Sequence, residues 1–179
     1  MTPISNGPEF SRPERLDTIG ERERVVEIVA NDAERAALAK RFDLVSISRL
    51  EAKFTIKRND SGILVKGRVT GAAVQACSVT DEPLDTKIDE AVALLFVDQL
   101  VAEGDEVELS DDALDMVAIE GGAIDLGEAA ADTLALAIDP FPRGPNAAAA
   151  LAAAGVISED EFRPANAFAD LKARMAGKS

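Results

Sequence analysis

Leu50-Glu51-Ala52-Lys53-Phe54-Thr55-Ile56-Lys57-Arg58-Asn59-Asp60-Ser61-Gly62-Ile63-Leu64-Val65-Lys66-Gly67-Arg68-Val69-Thr70 reads as two strands joined by a turn. Leu50, Ala52, Phe54 and Ile56 alternate with Glu51, Lys53, Thr55 and Lys57, the period of a half-buried strand. Asn59-Asp60-Ser61-Gly62 supplies turn chemistry. Ile63, Val65 and Val69 then face inward while Lys66, Arg68 and Thr70 face out. The pattern predicts a β-hairpin with one apolar and one basic face.

Upstream, Val45 and Ile47 alternate in the opposite phase to Leu50 and Ala52, so a bend or bulge is expected near Ser48-Arg49. Val25 to Ala30 is a short strand. Asn31 with Glu34 forms a capping-box pattern opening a helix that runs to about Phe42. Residues 1–20, with three prolines, read as an extended arm that orders by docking.

Downstream, Cys77 keeps the inward phase of Ile63, Val65 and Val69 and reads as a small buried hydrophobe. Ser78 to Pro83 is turn-like. Leu84, Thr86, Ile88, Glu90, Val92, Leu94 and Phe96 form a long alternation, expected to be buried on both sides over Ala91–Val97. Residues 98–123 read as an acidic loop with a turn of helix near Ser110–Met116. Asp125 is an N-cap with Glu128 at the capping-box position. Leu126, Ala130, Leu134 and Ile138 give that helix an apolar face, and Pro140 ends it. Ala147–Ala154 reads as helix, and Asn166–Met175, with Lys172 and Arg174, reads as a final short amphipathic helix.

The expected fold is α+β: a single domain with a mainly antiparallel sheet of about four to six strands. Helices near 31–42 and 125–138 flank it. The arm (1–20) precedes a domain over 21–145, which includes the acidic loop 98–123, and an Ala-rich extension covers 146–179.

Charge is unevenly spread. The chain has 33 acids and 19 bases, a net of −14, yet no base lies between Lys87 and Arg143, where fifteen acids fall. The rest of the chain is nearly neutral. Such a segment repels phosphate and attracts cationic partners, so Glu103, Asp105, Glu106, Glu108, Asp111, Asp112 and Asp115 are candidate partner-binding residues. The opposite sign gathers on the hairpin. Lys53, Lys57, Arg58, Lys66 and Arg68 are candidate RNA contacts, although no aromatic side chains are interleaved for base stacking and an ordinary solvated sheet face would look the same.

The chain has no His and one Cys, and no Gly-rich phosphate loop or nucleophile elbow. Histidine-based catalysis, an internal disulfide and a multi-cysteine zinc site are excluded. Calcium-loop spacing is not met. No cofactor or metal is expected. No secretion signal or membrane-length apolar run is seen, so the expected location is the cytoplasm.

Three stretches in order resemble the YceD-like family, in its alphaproteobacterial form. They are Pro8-Glu9-Phe10-Ser11-Arg12-Pro13 with Leu16-Asp17; Val74-Gln75-Ala76-Cys77-Ser78-Val79-Thr80-Asp81-Glu82-Pro83-Leu84; and Gly122-Ala123-Ile124-Asp125-Leu126-Gly127-Glu128, continuing through Leu134-Ala135-Leu136-Ala137-Ile138-Asp139-Pro140-Phe141-Pro142-Arg143. The resemblance covers about residues 8–145, with an echo at Asn166-Ala167-Phe168. It marks Cys77, Thr80, Pro83, Asp125, Leu126 and Glu128 as motif positions. Many relatives carry a second Cys soon after the first; here Cys77 stands alone, so a metal or redox role does not carry over. The resemblance implies a non-enzymatic role in ribosome biogenesis, supporting accumulation of large-subunit ribosomal RNA. Joined to the charge pattern, it suggests an acidic surface that binds a basic ribosomal protein or assembly factor, with a secondary rRNA contact through the hairpin. The alternatives are a small-ligand-binding or enzyme-like domain whose sheet covers an apolar pocket near Cys77, or a dimeric scaffold unrelated to ribosomes.

Overall fold

The computed structural model describes residues 8–98, 114–119 and 121–156. Its elements are β1 (Pro13–Arg15), β2 (Arg24–Val29), α1 (Asp32–Arg41), β3 (Ser46–Asn59), β4 (Gly62–Ala76), β5 (Pro83–Asp98), β6 (Asp115–Ile119), β7 (Ala123–Asp125), α2 (Leu126–Ala137) and α3 (Ala147–Ala153). A five-stranded sheet has the order β2-β3-β4-β5-β6, antiparallel except for the parallel β5–β6 pair. β1 and β7 pair separately, antiparallel. The expected α+β class and mainly antiparallel sheet are what the chain forms.

β3 and β4 are the hairpin read from the alternation. Asn59 pairs with Gly62 across a two-residue turn, and the Ser61 N–H donates to Asn59 Oδ1 at 3.1 Å. That short loop fixes the register, so every apolar side chain falls on one face. Leu50, Phe54, Ile56, Ile63, Val65 and Val69 are all at most 1% exposed. The phase change upstream is absorbed where expected, by a register shift between Ile47 and Arg49.

The covered face of the sheet meets three things: Leu38 from α1, Leu126, Ala130 and Leu134 from α2, and Phe10 from the arm, all fully buried. α1 opens with the anticipated capping box: the Glu34 N–H donates to the Asn31 side chain, and the Asn31 N–H donates to Glu34 at 2.8 Å. The opposite sheet face carries most of the charged side chains, among them Lys53, Lys57, Lys66 and Arg68; Glu90 and Asp115 fall on the covered face at its β5–β6 end. Only Leu95, Phe96 and Val97 on β5 are buried in succession, so the doubly covered stretch is shorter than Ala91–Val97, and Ala91 is exposed.

Two further expectations need correction. The loop anticipated over 98–123 contains a strand: Asp115–Ile119 pairs in parallel with Leu94–Asp98. Asp115 and Met116 therefore belong to β6 rather than a turn of helix, while 110–113 lie outside the described residues. The second concerns α2. Asp125 caps it by accepting from the N–H groups of Gly127 and Glu128, at 2.9 and 3.2 Å. The Glu128 carboxylate, however, turns to Arg41 at 2.7 Å instead of closing a capping box. Asn166–Met175 lies outside the described residues.

Candidate functional site

Register settles the fate of the hairpin bases. Lys53 stands opposite Glu27 and pairs with it at 2.8 Å. Lys57 reaches Glu23 at 2.9 Å and Arg68 reaches Asp89 at 3.0 Å. Their hydrogen bonds hold the Glu27 and Glu23 carboxyls below the usual range. Arg58 leaves the patch altogether: it donates to the carbonyls of Ile19 and Leu16, at 3.0 and 2.5 Å, and ties the arm to the hairpin tip. Among the described residues Lys66 is the only patch member in neither role. The structure thus gathers Lys53, Lys57, Lys66 and Arg68 on one face but supplies three of them with carboxylates from neighbouring strands.

Of the acidic candidates, Glu103, Asp105, Glu106, Glu108, Asp111 and Asp112 lie outside the described residues. Asp115 opens β6 and is exposed. The acid-rich segment therefore leaves β5 at Asp98, opposite Ile119, and rejoins the sheet opposite Leu94.

The motif positions build two structural locks. In the first, the arm crosses the start of α2. Asp125 accepts from Ser11 Oγ and from the Arg12 N–H at 2.7 Å while capping the helix, and the Leu126 N–H donates to Arg12 O at 3.1 Å. The crossing is so close that a Cβ on Gly127 would lie 2.4 Å from Phe10 O. Arg12 then stacks over Phe10 at 4.7 Å and grips Glu34 with two hydrogen bonds, which lowers the Glu34 pKa. Arg41 adds a tie from α1 to Glu9, Glu128 and Asp132. In the second lock, the chain after α2 is pinned to the β4–β5 turn. Gln75, the one buried polar residue among the described residues, donates to Asp139 O at 2.8 Å. The Ser78 N–H donates to Pro142 O at 2.8 Å, and the Gly144 N–H donates to Cys77 Sγ at 3.3 Å. That N–H above all, with help from the Thr80 side chain, pulls the Cys77 pKa down to about 7. The thiol is fully buried, so it serves as an internal acceptor.

What remains open is a groove of about 1150 Å³ between α2 and the β5–β6 end of the sheet. Val92, Leu94, Phe96 and Val117 form its floor; Glu90, Asp115, Glu128 and Asp132 stand around it, and among the described residues no Lys or Arg lines it. Burial and the neighbouring Glu128 raise the Asp132 pKa, opposed by Arg41. Glu90 and Asp115 make no ion pair among the described residues. Sequence reasoning missed Glu90, yet a signal was there: it interrupts the apolar phase of β5, which marks where the covered face opens.

The family model described as large ribosomal RNA subunit accumulation protein YceD matches residues 65–173. The chain belongs to the YceD family. The matched span includes the Cys77 lock, the groove and α2, and extends past the described residues; the arm and β2 precede it. The family description concerns accumulation of the large ribosomal RNA subunit. No curated protein and no solved structure matches the chain. Among the described residues no helix is long and apolar enough to cross a membrane, and no cluster of three or more His, Cys, Asp or Glu is placed to hold a metal ion.

Proposed function

We propose that this YceD-family chain is a non-enzymatic, cytoplasmic factor of ribosome biogenesis. It supports accumulation of large-subunit ribosomal RNA by holding a basic ribosomal protein or assembly factor on its acidic side. The observation that carries this reading is the charge division: fifteen acids and no base between Lys87 and Arg143. Within the described part of that stretch, carboxylates stand around an apolar groove. A surface of that sign favours a cationic protein and disfavours RNA. Glu103, Asp105, Glu106, Glu108, Asp111, Asp112 and Asp115 are assigned to the partner. The hairpin bases offer rRNA a secondary contact, led by Lys66, because Lys53, Lys57 and Arg68 already have acidic neighbours.

The test is affinity capture with the full chain from lysate, at low and at high salt. Basic large-subunit proteins should be retained at low ionic strength and released as it rises, since exposed charge pairs are screened beyond about 10 Å at 0.1 M salt. Capture that ignores salt, or that contains no ribosomal protein, would overturn the reading.

A further inference from the structure

We propose that the groove between α2 and the β5–β6 end of the sheet is the docking site for an amphipathic, Lys/Arg-flanked segment of the basic partner. This rests on the reading above and specifies which surface does the holding.

Four observations converge. The groove has an apolar floor, and at its α2 side Leu136 is 87% exposed, although it belongs to a regular helix. Exposed apolar side chains flanking an apolar groove mark an interface. Next, among the described residues the charges lining it have one sign. Arg41, reaching across from α1, engages Glu128 and Asp132 from the far side, whereas Glu90 and Asp115 on the sheet side make no ion pair among the described residues. An apolar small ligand would leave those carboxylates without partners; a segment with Lys or Arg beside its apolar residues supplies them. Phosphate-bearing partners are repelled. The third observation is Glu90, which sits opposite Val69 on the covered face, where a closed core would hold a hydrophobe. The last is size. From Glu90 to Phe96 the floor runs about 20 Å at strand rise, the length of roughly 13 helical residues. The apolar side chains of a helix spaced three and four apart match a groove of that length.

The test uses the full chain and two labelled synthetic peptides of about 15 residues, both rich in Lys, one with a Leu stripe at helical spacing and one with that stripe replaced by Ser. Fluorescence anisotropy should give the striped peptide an affinity at least about tenfold above the polar one. Leu136→Lys and Asp115→Lys, both exposed positions, should each weaken it about tenfold, the scale of one buried leucine or one desolvated charge pair. Unchanged urea midpoints would show that both variants are folded. Equal binding of the two peptides, or indifference to both substitutions, would overturn the proposal. So would a wild-type dimer that L136K converts to a monomer, which would assign the groove to a second copy. Tighter peptide binding in a Lys172→Glu, Arg174→Glu chain would overturn it as well, assigning the groove to the chain's own C-terminal segment. If L136K abolishes peptide binding yet still captures ribosomal proteins from lysate, the docking site is wrong and the broader reading survives. If the peptide discrimination holds but no ribosomal protein is captured, the broader reading fails and the groove stands.

Discussion

Replacing Gly127 by Ala sets two effects of opposite sign against each other. In a helix, Ala is favoured over Gly by up to about 1 kcal/mol. At this position the new Cβ would sit 2.4 Å from Phe10 O and 2.9 Å from the Arg12 N. Those are backbone atoms of the crossing arm and cannot swing aside as a side-chain end would. The arm must lift, which strains or breaks the bonds from Ser11 and the Arg12 N–H to Asp125, and from the Leu126 N–H to Arg12 O. Each is worth about 1 kcal/mol net, and partial exposure of Phe10 costs about 1–2 kcal/mol more. The clash wins: the expected loss is about 2–4 kcal/mol, a large share of the stability of a typical domain. Urea unfolding followed by circular dichroism measures it as a fall in midpoint at unchanged slope. Phe10→Ala should destabilise by a similar route, and the double variant should lose less than the sum. A G127A midpoint equal to or above wild type would refute the close crossing of arm and helix.

Asp125→Ala removes an acceptor shared by two helix N–H groups and two arm donors; a loss of about 2–4 kcal/mol is expected in the same assay. Arg58→Ala should lower the urea midpoint because the arm carbonyls of Leu16 and Ile19 lose their donor, whereas Lys53→Ala on the open face should leave it nearly unchanged. The Cys77 thiol, brought to about 7 from an ordinary 9.0, loses its proton at lower pH in the folded chain than in the unfolded one. The wild type should therefore gain stability over Cys77→Ala as pH rises from 7 towards 9, and lose that margin as pH falls through 7; parallel midpoint-versus-pH curves would contradict this.

Local chemistry made much of the fold legible. The Leu50–Ile56 alternation, the Asn59–Gly62 turn, the phase slip at Ser48 and the caps at Asn31 and Asp125 each depend on residues a few positions apart, and each element formed where those signals placed it. What stayed hidden depends on distant partners. β6 is five residues of an acidic stretch, and its only described strand neighbour is β5, reached by a parallel crossover that leaves no hairpin signal. β1 is three residues whose pairing partner lies at 123–125. The same reason governs the site. Lys53, Lys57 and Arg68 look like a basic patch until the register sets Glu27, Glu23 and Asp89 beside them. The groove, built from β5, β6 and α2, exists only in three dimensions; its traces in the sequence are an acid, Glu90, at an apolar-phase position and Leu136 off the Leu126–Ala130–Leu134 face.

The most direct measurement is the ratio of large- to small-subunit ribosomal RNA in cells deleted for this gene and carrying a full-length copy. In that copy Glu90, Glu103, Asp105, Glu106, Glu108, Asp111, Asp112 and Asp115 are changed to their amides. If the acidic side holds the partner, the neutralised chain, though folded and present at normal level, should restore the ratio no better than an empty vector. A ratio restored to that of the wild-type copy would contradict the account.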